Sequence, residues 1–195
     1  MQTYIKNQIQ QSFETKQAIF NDDTFVALLE SLAKKCVQVY RANKKTILAG
    51  NGGSAADAQH IAAELVGRYG FDRPSIPSLA LTTDTSNLTA IGNDYGYDEV
   101  FSRQLDGMGQ EGDIFFAIST SGNSKNLINA FKVAKRKKIT TVALVGKDGG
   151  AMAKMADFSL VVPSDATPRI QESHILIGHI ICDIIEKELF GEGVA

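Results

Sequence analysis

The feature that most constrains the fold of this chain is a set of five short apolar runs rich in β-forming residues. They lie at residues 46–49, 78–82, 113–119, 140–146 and 158–163. Segments with helical character stand between and after them, at residues 54–69, 86–91, 98–109, 124–137, 150–156 and 169–190. Strands that alternate with helices predict right-handed crossovers and a mainly parallel sheet covered on both faces. We therefore expect an α/β three-layer sandwich with a five-stranded, mainly parallel sheet.

The first 42 residues lie outside this alternating pattern. Apolar residues such as Phe25, Leu29, Leu32 and Cys36 recur there at steps of three and four, which predicts two helices. These helices could cover a face of the sheet or form a subunit contact, and the sequence leaves both possibilities open. A length of 195 residues suits a single domain. We expect residues 1–195 to form one, with N-terminal helices over 1–42 and an α/β core over 44–190.

Composition restricts the partners and the compartment. The formal net charge is −2, from 20 basic and 22 acidic residues, so nothing indicates binding to a nucleic-acid backbone. The apolar runs are far shorter than a membrane span, and the polar N-terminus is unlike a signal peptide. Cys36 and Cys182 lack metal-type spacing and are expected to be buried thiols in a reducing compartment. We expect a cytoplasmic protein without nucleic-acid or membrane partners.

The turn GNGGS (50–54) follows the first predicted strand and precedes a predicted helix. Its glycines permit tight backbone angles and close approach of a ligand. Asn51 could hydrogen-bond a ligand hydroxyl, and Ser54 could cap the helix. A plain strand-to-helix turn remains an equally good interpretation of this segment alone. The turn lacks the GxGxxG pattern, so no nucleotide cofactor is predicted.

A second turn, STSGNS (119–124), follows the third predicted strand and also opens a helix. It offers four hydroxyl groups, from Ser119, Thr120, Ser121 and Ser124. A helix N-terminus adds free amides and a partial positive charge, so together these groups could hold a phosphate without a lysine. The GxxxxGK[ST] pattern of a P-loop is absent. The alternative is an ordinary serine-rich cap, but the number of hydroxyls favours phosphate binding.

Candidate acid, base and metal-ligating groups stand on two predicted helices. His60 and Glu64 are four residues apart and share a helix face. Gln171 and His179 share a broad face of the last helix but are roughly 12 Å apart along its axis. Both can serve one small site only if it lies between them or if another subunit contributes. Each group also has an ordinary structural interpretation, as a surface hydrogen bond or a core histidine, and metal binding by these residues is one possibility among them.

Taken together, these segments resemble phosphoheptose isomerases of the sugar isomerase (SIS) fold. The similarity covers most of the chain from residue 44 onward, in the stretches 50–69, 88–105, 112–126, 142–150 and 169–189. The combination of motifs is specific, although no single motif is.

The resemblance implies roles for particular residues. Substrate contacts are implied for Asn51, Gly52, Gly53, Asn93, Asp94 and Gln171, and phosphate contacts for Ser119, Thr120, Ser121 and Ser124. Glu64 and His179 match the catalytic acid/base pair of the family. One zinc ion per subunit is implied, held by His60, Glu64, Gln171 and His179. A homotetramer with sites at subunit interfaces is also implied.

The implied reaction converts sedoheptulose 7-phosphate into D-glycero-D-manno-heptose 7-phosphate. This is the first step of nucleotide-activated heptose biosynthesis for bacterial surface glycans such as lipopolysaccharide or capsule. One alternative is a non-catalytic branch of the SIS fold that associates with the bacterial replication initiator and shares the stretches SAADAQH and PRIQE. That branch lacks the counterparts of Glu64 and His179, which this chain keeps, so the enzyme is favoured. A sugar-phosphate sensor is a third possibility, but no segment is left to form its usual DNA-binding domain.

Overall fold

The computed structural model describes residues 1–193 and contains one five-stranded parallel sheet. The strands are Thr46–Gly50 (β1), Ser78–Ala80 (β2), Ile114–Ser119 (β3), Thr140–Gly146 (β4) and Phe158–Val162 (β5). Their order across the sheet is β2-β1-β3-β4-β5, and every neighbouring pair is parallel. Strands β1 and β3 are buried along their whole length, because helices cover both faces.

Eight α-helices surround this sheet in the described part of the chain. They are Gln2–Phe20 (α1), Asp23–Arg41 (α2), Gly53–Val66 (α3), Thr85–Tyr95 (α4), Val100–Met108 (α5), Lys125–Arg136 (α6), Gly150–Met155 (α7) and Thr167–Phe190 (α8). A 3₁₀ turn over Tyr97–Glu99 joins α4 to α5. Helices α2, α3 and α8 pack on one face of the sheet, and α5, α6 and α7 pack on the other. The predicted three-layer α/β fold is confirmed.

The helix predicted over 54–69 ends at Val66, and the bounds of the next two helices also differ from the expectation. The helix predicted over 86–91 covers Thr85–Tyr95, and the Asp84 carboxylate caps its start by accepting a hydrogen bond from the Asn87 amide. The helix predicted over 98–109 instead begins as the 3₁₀ turn and becomes α-helical only at Val100. The last two differences fall near Gly96, whose positive φ of 89° bends the chain between the two segments.

The two N-terminal helices play different parts. Helix α2 buries Leu29, Leu32 and Cys36 in the core and so covers a face of the sheet. Helix α1 lies outside it, packed on α2 and α8. The outer surface of α1 exposes large apolar side chains, namely Tyr4, Ile5, Ile9 and Phe13. Among the described helices, none is both long enough and apolar enough to span a bilayer.

Helices α3 and α8 lie side by side and run in the same direction. Gly53 at the start of α3 faces Gln171 on α8, and Ile61 faces Gly178 further along both helices. A β-carbon on Gly178 would stand 2.5 Å from Ile61 Cδ1, so the close approach of the two helices requires glycine there. This packing sets the relative position of the polar side chains that both helices carry.

A buried ion pair fixes the C-terminal end of α3 to α8. Arg73 Nε donates to Glu186 Oε2 at 2.8 Å, and both side chains are only 1% exposed. Glu186 also accepts the backbone N–H groups of residues 69–71, at 2.8, 2.5 and 3.1 Å. The Arg73 guanidinium donates to the carbonyl oxygens of Glu64 and Leu65 at 2.9 and 2.8 Å. The pair therefore holds the last turn of α3, the segment after it and α8 in one arrangement.

We expect Glu186→Gln to destabilise the fold by about 3–5 kcal/mol, because the variant leaves the Arg73 charge buried without a counter-ion. Urea unfolding followed by circular dichroism measures this loss. Asp183→Asn is the matched control, since it breaks the half-exposed Lys187–Asp183 pair on the same helix, and should cost at most about 1 kcal/mol. Equal effects of the two variants would contradict the central role assigned to the buried pair.

Candidate active site

The candidate site begins where the strand order reverses. Strands β1 and β3 are neighbours, but the chain leaves β1 toward β2 at one edge and leaves β3 toward β4 at the other. The turns that follow β1 and β3 therefore lie side by side at the carboxyl edge of the sheet. Such a switch point forms the crevice in which open α/β sheets bind ligands.

The turn after β1 is shaped by its glycines. Gly52 has a positive φ of 56° and is the N-cap of α3, which starts at Gly53. A β-carbon on Gly53 would lie 2.4 Å from Gln171 Nε2, so a larger residue would displace the Gln171 amide. The expectation that Ser54 caps the helix is wrong, because Ser54 is buried within the first turn and makes no capping bond.

The turn after β3 is held by hydrogen bonds within the turn and by the start of α7. Ser119 Oγ lies 3.1 Å from Ser124 Oγ and accepts the Gly122 amide at 3.2 Å. Gly122 has a φ of 64°, and a β-carbon there would meet the Gly149 carbonyl oxygen at 2.0 Å. The Met152 amide donates to the Gly122 carbonyl oxygen at 2.9 Å. The start of α7 thus supports the turn from behind, while Thr120, Ser121 and Ser124 remain partly exposed.

A second group of polar side chains lies along the α3–α8 pair. His60 Nε2 stands 2.9 Å from His179 Nε2 and 3.3 Å from Glu64 Oε1. Ligand atoms of all three residues lie within 4.8 Å of one another. A hydrogen bond between these two imidazole nitrogens requires one of them to donate and the other to accept. The Tyr69 ring flanks the cluster, 5.8 Å from the His179 ring.

This cluster of His60, Glu64 and His179 fits a metal ion. Two imidazoles and a carboxylate are ligands that zinc accepts, with a position left for water or substrate. Zinc bonds of 2.0–2.1 Å at tetrahedral angles place ligand atoms roughly 3.3 Å apart. The His60–His179 and His60–Glu64 distances of 2.9 and 3.3 Å need little adjustment to reach that value.

Two other polar residues of α8, Gln171 and His174, lie apart from this cluster. Gln171 contacts Gly53, seven residues before His60, which is about 10 Å along the helix axis. Within one chain Gln171 therefore belongs to the turn after β1. His174 is fully buried, with Nε2 3.1 Å from the Val145 carbonyl oxygen. Burial lowers the pKa of His174 to about 4, despite that hydrogen bond, so it is a neutral core residue.

The end of α4 brings a third segment to the crevice. Asn93 and Asp94 are exposed there, and Asn93 Nδ2 donates to Asp94 Oδ1 at 2.8 Å. Just beyond them, the Tyr97 hydroxyl donates to Asn51 Oδ1 at 3.2 Å. Asn51 is also paired with the buried Asn126. Sequence reasoning missed Tyr97 and Asn126, although Asn126 lies only two residues after the serine-rich turn.

Comparisons with known proteins identify relatives of this chain. A family model described as the SIS domain matches residues 10–146. The phosphoheptose isomerase of Sulfurimonas denitrificans is 78% identical over 194 residues, covering 100% of both chains. That of Aneurinibacillus thermoaerophilus is 58% identical and covers 97% of this chain and 96% of its own.

A solved structure extends the similarity to three dimensions. The phosphoheptose isomerase from Neisseria gonorrhoeae superimposes with a TM-score of 0.90 at 44% identity, covering 95% of this chain and 98% of its own. Sequence similarity of this extent, together with the shared fold, is sufficient to assign the chain to a family. The chain belongs to the phosphoheptose isomerase family of SIS-domain proteins.

Proposed function

We propose that this protein interconverts sedoheptulose 7-phosphate and D-glycero-D-manno-heptose 7-phosphate, the first step of nucleotide-activated heptose biosynthesis for bacterial surface glycans. The observation that carries the proposal is the meeting of Glu64 with His60 and His179 within 4.8 Å, on the helix that leaves the β1 turn. The relatives named phosphoheptose isomerase support it across the full chain.

The reaction moves a proton between C1 and C2 of the sugar. Glu64 takes the proton from C1 of the open-chain ketose, which gives a cis-enediol, and returns a proton to C2. His179 gives a proton to the carbonyl oxygen on C2 and receives one from the hydroxyl on C1. The Glu64 side chain is 24% exposed, so it is reachable by substrate, while the Arg73 bond to its backbone carbonyl fixes its position. A positioned base of this kind contributes about 10²–10⁴-fold.

The turn after β3 binds the phosphate. Ser119, Thr120, Ser121 and Ser124 supply hydroxyls, and the first amides of α6 add the positive end of a helix. Asn51, Gly52 and Gly53, with Asn93, Asp94 and Gln171, bind the sugar hydroxyls. Fixing the phosphate holds the reacting carbons against the acid and the base, so binding energy far from the reaction contributes to the rate.

One zinc ion per subunit is part of the proposal, with His60, Glu64 and His179 as ligands and Gln171 as the fourth. When bound, zinc polarises the sugar oxygens and stabilises the negative charge of the enediolate. Gln171 and His179 are about 12 Å apart on α8, so a fourth ligand of this kind comes from another subunit.

A homotetramer with sites at subunit interfaces is also part of the proposal. The exposed apolar stripe on α1, formed by Tyr4, Ile5, Ile9 and Phe13, offers a surface for another copy of the chain. Asp57 Oδ2, one turn before His60, is buried without a hydrogen-bond partner in residues 1–193, which a neighbouring subunit could supply.

The domain and compartment assignments belong to the same proposal. The proposed single SIS domain over residues 1–195 is supported by the packing of α1 and α2 on α8 of the α/β core, and its residues 194 and 195 lie outside the described part of the chain. The protein works in the cytoplasm, where thiols such as the buried Cys36 and Cys182 stay reduced. It needs no nucleotide cofactor and no nucleic-acid or membrane partner.

Purified protein mixed with sedoheptulose 7-phosphate should produce an aldoheptose 7-phosphate, which NMR spectroscopy detects directly. Sedoheptulose without phosphate is the matched control, and it should react far more slowly because the turn after β3 has nothing to hold. If no aldose forms over hours, with or without added zinc, the enzymatic proposal fails. The non-catalytic, initiator-associating alternative would then be favoured.

Metal content provides a test that does not depend on turnover. Protein purified without chelators should contain about one zinc per chain by elemental analysis, and His60→Ala should lose it because one of the four proposed ligands is gone. Gln59→Ala is the matched control on the same helix, since within residues 1–193 the Gln59 side chain bonds only the Thr82 carbonyl oxygen, at 3.3 Å. Zinc retained by His60→Ala at the level of Gln59→Ala would contradict the assigned ligands.

A further inference from the structure

The Asn51 and Asn126 side chains form a reciprocal pair of hydrogen bonds. Asn51 Nδ2 donates to Asn126 Oδ1 at 3.1 Å, and Asn126 Nδ2 donates to Asn51 Oδ1 at 2.9 Å. Asn126 is only 3% exposed. The Leu127 amide also donates to Asn126 Oδ1, at 3.0 Å, which fixes which end of that carboxamide is oxygen.

This pair connects the two turns of the crevice. Asn51 lies in the turn after β1, which faces the sugar, whereas Asn126 lies in the first turn of α6, directly after the serine-rich turn. The Tyr97 hydroxyl reaches the same Asn51 oxygen from the segment that carries Asn93 and Asp94. Asn51 is thus the point at which three ligand-binding segments of the chain meet.

The hydrogen bonds to Asn126 and Tyr97 leave the Asn51 side chain with one free hydrogen-bond donor. A carboxamide has two N–H donors and an oxygen with two acceptor positions. Asn126 and Tyr97 fill both acceptor positions on Asn51 Oδ1, and Asn126 Oδ1 takes one donor. A single N–H remains to meet a ligand. An unpaired asparagine could instead rotate and present either its oxygen or its nitrogen.

We infer that Asn126 is a positioning residue that orients Asn51 so that its free N–H donates to a sugar oxygen of the substrate. Asn126 itself touches no substrate and acts through Asn51. The inference rests on the proposed function, because it assumes a sugar phosphate that spans the two turns. It predicts an effect on recognition of the sugar but none on recognition of the phosphate.

The test compares two ligands, sedoheptulose 7-phosphate and inorganic phosphate, whose dissociation constants are measured by titration calorimetry. Asn126→Ala should weaken binding of the sugar phosphate at least about fivefold, the size of one lost hydrogen bond, and leave phosphate affinity within twofold. Its kcat/KM should fall by at least as much. Asn129→Ala is the matched control on α6, because it loses three side-chain bonds, to Asp98, Glu99 and Lys132, without touching Asn51.

The outcomes separate this inference from the proposed function. Equal loss of affinity for both ligands, or none for either, overturns the role of Asn126, whether or not the wild-type protein turns over. A wild-type protein that binds the sugar phosphate without isomerising it would overturn the proposed function alone. If Asn126→Ala does not fold, Asn126→Ser decides, since it keeps a small polar side chain in the first turn of α6 but cannot form the paired hydrogen bonds with Asn51. The same selective loss supports the inference, and unchanged selectivity overturns it.

Discussion

The pairing of α3 with α8 is the constraint on which the candidate site depends. Three features hold it, at successive levels along both helices. Gly53 admits the Gln171 amide, Gly178 lets Ile61 approach, and Glu186 binds Arg73 and three backbone amides at the far end. Because the Arg73 guanidinium also holds the last turn of α3 through its carbonyl oxygens, a shift of either helix would break buried charged hydrogen bonds.

This pairing sets the distance between the proposed acid/base cluster and the proposed phosphate-binding turn. The phosphate turn lies at the carboxyl edge of the sheet, whereas His60 and Glu64 lie two or more turns down α3. A seven-carbon sugar phosphate has its phosphate at one end and its reacting carbons at the other. Recognition and proton transfer can therefore be built from different segments, each held rigid by its own contacts.

Much of this arrangement could be predicted from the sequence. The alternation of apolar runs with helical segments predicts the parallel sheet, and the helical spacing of His60 and Glu64 predicts their shared face. The contact between His60 and His179 could not be predicted from spacing, because it depends on how α3 packs against α8, which only tertiary structure decides. In the sequence, only the resemblance to a known family indicated that these residues act together.

Other features lacked a usable signal. Asn126 and Tyr97 are single residues whose importance comes from partners 75 and 46 positions away along the chain. Arg73 and Glu186 likewise pair across 113 positions. Long-range polar contacts of this kind leave no periodicity in the sequence. The error at Ser54 has a local cause, since Gly52 and its positive φ start the helix earlier than a serine cap would.

Solvent exchange in deuterated water tests most directly whether Glu64 carries the proton between C1 and C2. Wild-type protein at equilibrium should place deuterium on C2 of the aldose and C1 of the ketose, as read by NMR. Glu64→Gln should lose both exchange and turnover at least about a hundredfold with its melting temperature nearly unchanged, because glutamine keeps the shape and helix propensity but not the base. Exchange at the wild-type rate in Glu64→Gln would contradict the account.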